Sequence, residues 1–336
     1  MKQHNRSVSR VVYYILMFVI VFALFSLTIP GQFLSRFNLQ SMAFQVPEFG
    51  ILALGMMVAM LTAGIDLSII ANANLAGIMS AICLLKVTEL YPNVGSLAII
   101  LVTVVVAVIS GTIGGLFNGF LISVLGILPI LATLGTMKLF EGLATVVTRG
   151  RPITGFPVEI QYIANETIGV VPVSFVIFLI VLVMVALFLK KTPLGFKIYM
   201  LGSNEEAARY SRLNNRAILL RAYAVSGLMA GIASIIMMSR FNSVKVGYGN
   251  SYLLQAVLVV ILGGTNPDGG EGDVFNALFA ILTLQCIASG FNILGFTDYM
   301  RNVIYGSMLI IVLMFTIMVP RIREMVKRKK ETVSIS

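Results

Sequence analysis

The sequence predicts an all-α, polytopic transmembrane helical bundle of about ten spans. Of its 336 residues, 58% are apolar and 11% are charged, whereas a soluble domain carries about 25% charged residues. Several nearly charge-free runs reach the roughly 20 residues that a helix needs to cross the hydrocarbon core. These runs do not alternate polar and apolar residues as the strands of a membrane barrel do. We therefore expect one transmembrane domain over 1–336.

The predicted spans follow the apolar runs in chain order. They are 11–30, 46–63, 68–86, 96–123, 128–148, 171–189, 218–239, 251–264, 274–291 and 300–319. Six spans precede a polar central segment and four follow it. With both tails and the central segment on one side, each half needs an even number of spans, and this count satisfies the requirement.

Most of the basic residues lie in three segments, namely the tails 1–10 and 321–336 and the central loop 190–217. The net charge is +10, which could indicate a nucleic-acid partner. However, the clusters flank apolar spans, and the positive-inside rule accounts for basic residues there. We therefore expect no nucleic acid and a multi-pass protein with both termini cytoplasmic.

Residues typical of enzyme or metal sites are scarce. Cys83 and Cys286 both lie in apolar runs, and His4, the single histidine of the sequence, lies in the N-terminal tail. No nucleophile stands beside a base, and no cluster has metal-ligand character. The sequence predicts a protein that is not an enzyme, holds no cofactor or metal, and buries its cysteines as small hydrophobes.

Two glycine-containing turns separate neighbouring spans, at 62–68 and at 263–273. Non-helical backbone near a membrane is tolerated where protein or a water-filled cavity satisfies it, so both turns are candidates for a gate or for pore lining. Asp66 can line a gate, and it can also cap the helix that follows, as can Ser68 and Asp273.

The central loop contains a polar, helix-prone stretch, 202–216, between long apolar segments. Glu205 and Glu206 precede Arg209, Arg212 and Arg216, an order that suits a helix dipole. The stretch is either a solvated surface helix or a helix that docks onto a soluble partner.

Several motifs occur in a characteristic order along the chain. They are Gly64–Ser68 (GIDLS), Thr133–Met137 (TLGTM), Arg151–Ile153 (RPI), Asn204–Ala208 (NEEAA), Tyr223–Gly231 (YAVSGLMAG) and Gly263–Thr265 (GGT) with Gly269–Gly270. Together they resemble the permease subunits of ribose- and galactose-type ABC sugar importers, over roughly residues 45–320.

The resemblance implies the fold, partners and location of such a permease. Expected partners are a cytoplasmic ABC ATPase, a second permease subunit, the same or homologous, and a periplasmic or extracellular solute-binding protein. The expected substrate is a small sugar-like solute, and the expected location is the bacterial inner membrane. The sequence has no G-x-x-x-x-G-K-[ST] phosphate loop, so ATP hydrolysis would take place in the partner.

The resemblance also assigns the ATPase-coupling role to the helix around the NEEAA motif. The residues expected to carry it are Asn204, Glu205, Glu206, Ala207, Ala208 and Arg209. Two departures from the family pattern bear on the site. The glycine expected after Ser211 is Arg212, and an arginine often found in the fifth span is Glu141.

Eight polar residues and one aromatic residue, in or beside the spans, are the candidates for the translocation pathway. They are Asp66, Asn72, Asn74, Asn118, Thr133, Lys138, Glu141 and Asn292, together with Phe291. Lys138 and Glu141 share a helix face at i, i+3, and either line the pathway or form a structural ion pair. The amides either bind solute hydroxyls or hold helices together, and Phe291 either closes the outer pathway or packs in a core.

Other transport mechanisms stay open at this point. An ion-coupled secondary transporter would need partnered carboxylates deep in the membrane, for which Asp66 and Glu141 are a small set. A branched-chain amino-acid-type ABC permease would share the mechanism and differ in substrate.

Overall fold

The computed structural model describes the backbone of residues 2–93 and 95–335. The side chains of 2–10, 298, 317 and 319–335 lie outside this description. The described chain is helical almost throughout. Its helices are α1 (Lys2–Thr28), α2 (Pro30–Phe33), α3 (Arg36–Met60), α4 (Ile69–Leu90), α5 (Ser96–Ser123), α6 (Pro129–Thr148), α7 (Val158–Asn165), α8 (Val173–Lys191), α9 (Pro193–Ser203), α10 (Glu205–Tyr210), α11 (Asn215–Phe241), α12 (Asn250–Leu262), α13 (Val274–Ile293) and α14 (Asp298–Ile335).

Four two-residue strands form two small antiparallel ribbons. They are β1 (Ile153–Thr154), β2 (Thr167–Ile168), β3 (Val171–Pro172) and β4 (Ser243–Val244), with β1 paired to β4 and β2 to β3. Together with α7, they make an ordered cap, in which β1, β2 and β3 follow the predicted fifth span and β4 follows the predicted seventh.

Nine helices of the described chain are long and apolar enough to cross a membrane. The eighth predicted span, 251–264, corresponds to α12, which has 13 residues. At about 1.5 Å per residue it reaches about 20 Å, short of a hydrocarbon core of about 30 Å. The all-α polytopic bundle is confirmed, with nine full-length spans and one short helix.

The connections between helices gather at two faces of the bundle. At the first, which we name the junction face, Gly270 N donates to Leu61 O over 3.0 Å and Tyr199 Oη donates to Gly272 O over 2.9 Å. These bonds join the turns 61–68 and 263–273 to the central loop. All three segments therefore lie on one face of the bundle, as the predicted order of spans requires.

The opposite face, which we name the cap face, carries the two ribbons. There Ser96 Oγ donates to Glu159 Oε1 over 2.9 Å, and Phe156 N donates to Asn242 Oδ1 over 3.2 Å. Because these contacts tie α5, α7 and the end of α11 together, the cap is part of the bundle and not a separate domain.

Helix α3 is the central element of the core. Its residues from Val46 to Met60 are all buried, which explains why this helix is apolar on every side. Pro47 lies inside it, where it removes one backbone donor from the helical ladder.

Helices α5 and α11 approach each other through glycines. A Cβ built on Gly111 would lie 2.5 Å from Gly227 O, and one built on Gly231 would lie 2.6 Å from Ala107 O. Small residues let helix backbones pack at such short separations. The glycines Gly111, Gly115, Gly227 and Gly231 thus form the crossing of the two helices.

The two basic tails and the two cysteines were also predicted from the sequence. Helix α1 begins at Lys2 and α14 extends to Ile335, so the basic tails continue the first and last helices. His4 and the basic side chains of both tails lie outside the described side chains. Cys286 is buried and Cys83 is partly buried, both as free thiols.

Candidate coupling junction and translocation residues

The NEEAA motif forms α10, a short helix on the junction face. The Asn204 side chain caps it, since Oδ1 accepts from Ala207 N over 2.8 Å. Ala208 is buried, whereas Glu205, Glu206 and Ala207 are exposed. The helix is therefore anchored on one side by its second alanine, and the rest of the motif lies on its exposed side.

The prediction of one polar helix across 202–216 is wrong. Helix α9 ends at Ser203, α10 covers six residues, and α11 begins at Asn215. Arg212 has a left-handed backbone with φ of 57°, a conformation that favours glycine, and this is the position where the resemblance leads one to expect glycine. Arg212 and Arg216 therefore lie outside the helix whose dipole they were expected to complement.

The central loop packs directly on the two turns between spans. A Cβ on Gly202 would clash with Leu61 O and would lie 2.5 Å from Gly270 N. On the neighbouring side, Lys190 Nζ is 2.6 Å from Asp273 Oδ2. Asp273 also caps α13, accepting from Phe275 N over 2.8 Å. A displacement of α9 and α10 would therefore be transmitted to α3, α4, α12 and α13.

Tyr199 fixes α9 to the second turn. Burial, together with the nearby Asp273 carboxylate, raises the pKa of its phenol to about 12. The hydroxyl therefore stays protonated at neutral pH and remains a donor to Gly272 O.

A cleft of about 490 Å³ opens beside α10. The turn from Gly126 to Pro129, between α5 and α6, forms one wall, and 201–205 forms the other. Thr62 and Ala63 lie at its base. Three connections between helices thus meet beside α10.

A chain of buried hydrogen bonds runs inward from the first turn. Asp66 Oδ1 accepts from Ser68 Oγ over 2.7 Å, and Asp66 Oδ2 accepts from Ser226 Oγ over 2.7 Å. Asn118 Nδ2 donates to Ser68 Oγ over 2.6 Å, and Thr136 Oγ1 donates to Asn118 Oδ1 over 2.6 Å. The network joins the turn to α5, α6 and α11, and Asp66 is fully buried.

Asp66→Asn is expected to destabilise the chain by about 2 kcal/mol, because an amide nitrogen would face donors that now meet carboxylate oxygen. Thermal unfolding of the purified chain in detergent measures the effect. Asp268→Asn is the matched control, since Asp268 is exposed on the junction face. Equal melting temperatures for the two variants would contradict the structural role of Asp66.

Three further polar candidates bond to backbone inside the bundle. Asn72 Nδ2 donates to Gly111 O over 2.9 Å at the glycine crossing. Asn74 Nδ2 donates to Tyr248 O over 3.0 Å, towards the cap face. Thr133 Oγ1 donates to Ile65 O over 3.0 Å. Each of these bonds joins separate elements, which is how polar groups hold membrane helices together.

Lys138 and Glu141 lie on the outer side of α6. Their charged groups are 2.8 Å apart, with side-chain exposures of 71% and 26%. They face away from the Asp66 network, although all of these candidates were predicted together.

Phe291 and Asn292 lie far along α13, near its end at the cap face. The Phe291 ring packs edge-on against Phe25 and Phe296, with centroids 6.4 and 5.0 Å away. Asn292 is exposed. The structure places this pair with α1 and apart from the buried network.

An ion pair that sequence analysis did not select lies in the core. Glu48 is fully buried in α3, and its Oε1 is 2.8 Å from Arg240 Nη1. Tyr252 Oη donates to the second carboxylate oxygen. The signal was present in the sequence, because Glu48 is the single acidic residue of the predicted span 46–63 and a buried charge needs a partner.

Comparison with known proteins assigns this architecture. The family described as "Branched-chain amino acid transport system / permease component" matches residues 38–313. The chain is 32% identical over 286 residues to the ribose import permease protein RbsC of Bacillus subtilis, covering 83% of this chain and 84% of the relative. It is 31% identical over 269 residues to the autoinducer 2 import system permease protein LsrD of Yersinia enterocolitica, covering 78% of each chain.

No solved structure gives a significant match to the chain. The family match and the two relatives agree on a membrane permease, and a bundle with nine described helices long and apolar enough to cross a membrane fits that class. The chain therefore belongs to the branched-chain amino acid transport system / permease component family, the membrane permeases of ABC importers, and is a transport subunit and not an enzyme.

Proposed function

We propose that this chain is the permease subunit of a bacterial inner-membrane importer for a small, sugar-like solute. A separate cytoplasmic ATPase drives it, and a solute-binding protein delivers the substrate outside. Both termini and the junction face lie in the cytoplasm, and the cap face lies outside. One observation carries the proposal: α10 exposes the NEEAA residues while Gly202 and Tyr199 join it to the turns between the spans.

The mechanism follows from those contacts. A partner that binds the Glu205–Ala207 surface moves α9 and α10 together, since Ala208 and Tyr199 fix them to the bundle. The motion reaches the turns 61–68 and 263–273 and changes how α3, α4, α12 and α13 pack. The nucleotide state of the partner then selects between outward- and inward-facing conformations of similar free energy.

The sugar assignment has support from the relatives. The two relatives are named for ribose and for autoinducer 2, whereas the family description names branched-chain amino acids. The match to each of these two relatives covers about four-fifths of this chain. We therefore give their substrates more weight than the name of the broader family.

The test is uptake by cells that express the chain with the ATPase and binding protein encoded beside it. Labelled D-ribose is expected to accumulate, and loss of the phosphate-loop lysine of the ATPase is expected to abolish this. L-Leucine uptake in its place would favour the amino-acid alternative. Accumulation that survives the ATPase change but stops with a protonophore would favour ion coupling.

The ion pair on α6 supports a second permease subunit. Lys138 lies in the middle of a 20-residue span with 71% of its side chain exposed. A charged group at that depth is unfavourable in contact with lipid. We therefore assign this face of α6 to contact with a second subunit and with water in the translocation pathway between the two.

Exchanging the two charges tests the pair. Lys138→Glu and Glu141→Lys alone each place two like charges at i, i+3, and we expect each to lower the yield of folded protein several-fold. The double exchange restores opposite charges and is expected to recover most of that yield, measured by size exclusion in detergent. Equal losses in all three variants would contradict the pairing.

A further inference from the structure

A second cavity, of about 310 Å³, lies within the bundle between α3, α12, α13 and α14. We name it the intrasubunit pocket. Its walls include Gln45, Tyr252, Gln255, Gln285 and Tyr305. The α12 and α14 residues belong to the first two turns of those helices, which begin at the cap face. The pocket therefore lies in the half of the bundle that the proposed function places outside.

The short helix α12 explains why space exists here. It begins at Asn250 and spans about 20 Å, so it fills only part of the membrane thickness. Ser251, in its first turn, is exposed and lines the pocket. A helix that stops within the membrane commonly borders a solute site in transporters.

The walls have the chemistry of a site for a neutral, polyhydroxylated solute. Three glutamine side chains line it, and each amide can both donate and accept. Gln285 Nε2 donates to Gln45 Oε1 over 3.3 Å, so two of the amides are held in position. The ring of Phe49 lies 6.3 Å from that of Tyr252 and provides an apolar surface. A few fixed polar groups beside aromatic rings are typical of small-molecule sites.

Tyr305 gives independent evidence for a ligand. It is 1% exposed, and its hydroxyl has no hydrogen-bond partner among the described residues. By contrast, Tyr252 in the same pocket donates to Glu48. A buried hydroxyl without a partner is unfavourable, and a solute in the pocket would satisfy it.

The Glu48–Arg240 pair holds the Tyr252 side of the pocket in place. Tyr252 is bound through its hydroxyl to Glu48, which is itself paired with Arg240. The phenol ring is therefore fixed and its hydroxyl is already occupied. Among the lining residues the charged side chain is Arg301, so the lining has no carboxylate to attract a cation.

We propose that the intrasubunit pocket is a binding subsite for a neutral polyhydroxylated solute, with the Gln255 and Gln285 amides and the Tyr305 hydroxyl as its hydrogen-bonding groups. The inference rests on the proposed function and deepens it. The solute would occupy a site inside each subunit, in addition to any pathway between two subunits.

Thiol protection tests the subsite directly. The full chain carries Cys83→Ala, Cys286→Ala and Ser251→Cys, and reacts with a membrane-impermeant thiol reagent in lipid nanodiscs. Ser251 is exposed and lines the pocket, and it is not one of the proposed hydrogen-bonding groups. D-Ribose, D-galactose and D-glucose are the probes, and at least one is expected to slow the reaction at position 251 several-fold. Tyr162→Cys in the same background is the control, because Tyr162 is exposed on the cap face, and its reaction is expected to be unaffected.

The Tyr305→Phe variant tests whether the Tyr305 hydroxyl binds the sugar. Added to the position-251 variant, it is expected to raise the half-protecting sugar concentration roughly five- to tenfold, the value of one neutral hydrogen bond. Tyr223→Phe is the matched control, since it removes another buried hydroxyl without a described partner, against Gly64 and outside the pocket. Equal effects of the two variants would contradict the assigned role.

Two outcomes overturn the inference. Absence of protection by all three sugars would exclude the subsite. Stronger protection by D-gluconate than by D-glucose would show that Arg301 recognises an anion instead. Uptake of D-ribose by the unaltered chain with its ATPase separates the two proposals. Uptake without thiol protection would contradict the subsite alone. Absence of uptake would contradict the proposed function.

Discussion

Gly227→Ala is expected to prevent accumulation of the folded chain, although it adds one methyl group. A Cβ at Gly227 would lie 2.7 Å from both N and Cα of Gly115 and would clash with Gly111 O. All of these are backbone atoms of α5, so no side-chain rotation relieves the overlap. The helices would have to separate, and we expect a loss of about 3 kcal/mol or more of stability.

The matched control is Gly306→Ala on α14. A Cβ there meets no atom within 4 Å, and alanine favours a helix over glycine by about 1 kcal/mol. Fluorescence-detected size exclusion after heating compares the two variants. Similar melting temperatures would contradict the close crossing of α5 and α11.

Ala207→Arg is expected to abolish solute uptake while leaving the chain folded. Ala207 is exposed on α10, in the surface assigned to the ATPase. An arginine there would hold the partner away from a contact that small residues allow. Loss of a central interface contact weakens binding by about 2 kcal/mol or more, so we expect co-purification of the ATPase to fall at least roughly tenfold.

Two comparison variants separate docking from folding. Ala208→Arg, one residue along, is expected to lose the folded chain, because Ala208 is 1% exposed. Asn93→Arg adds the same charge at an exposed position beyond the end of α4, at the cap face, and is expected to keep full uptake. Normal uptake by the Ala207 variant would show that α10 does not bind the partner.

The spans could be predicted from the sequence because long apolar runs have few alternatives to transmembrane helices. One predicted helix cap is confirmed, since Asp273 Oδ1 accepts from Phe275 N at the start of α13. The prediction that Ser68 caps α4 is wrong, because its side chain makes no capping hydrogen bond. Apolar runs do not encode depth, however, so α12 was predicted as a span although it covers only part of the membrane.

The central loop shows where local reasoning fails. Its composition favours a continuous helix, and the break at 211–214 arises from how α10 and α11 pack on the bundle. Arg212 adopts a left-handed backbone there, which an arginine would not adopt by its own preference. A favourable tertiary arrangement overrides that local preference.

Sequence analysis did not identify the groups of residues that come together only through tertiary structure. Glu48, Arg240 and Tyr252 come from three helices, and Glu48 lies 192 and 204 residues before the other two. The intrasubunit pocket likewise combines four helices. No local pattern marks such groups, whereas Lys138 and Glu141 share one helix and could be paired from their spacing.

Photo-crosslinking from position 207 tests the central claim most directly. A photoreactive amino acid replaces Ala207 in cells that also express the ATPase, and a second strain carries it at position 93. We expect irradiation to produce an adduct of the chain with the ATPase from position 207 and none from position 93. An ATPase adduct from position 93, with none from position 207, would place the motor on the opposite face and contradict the account.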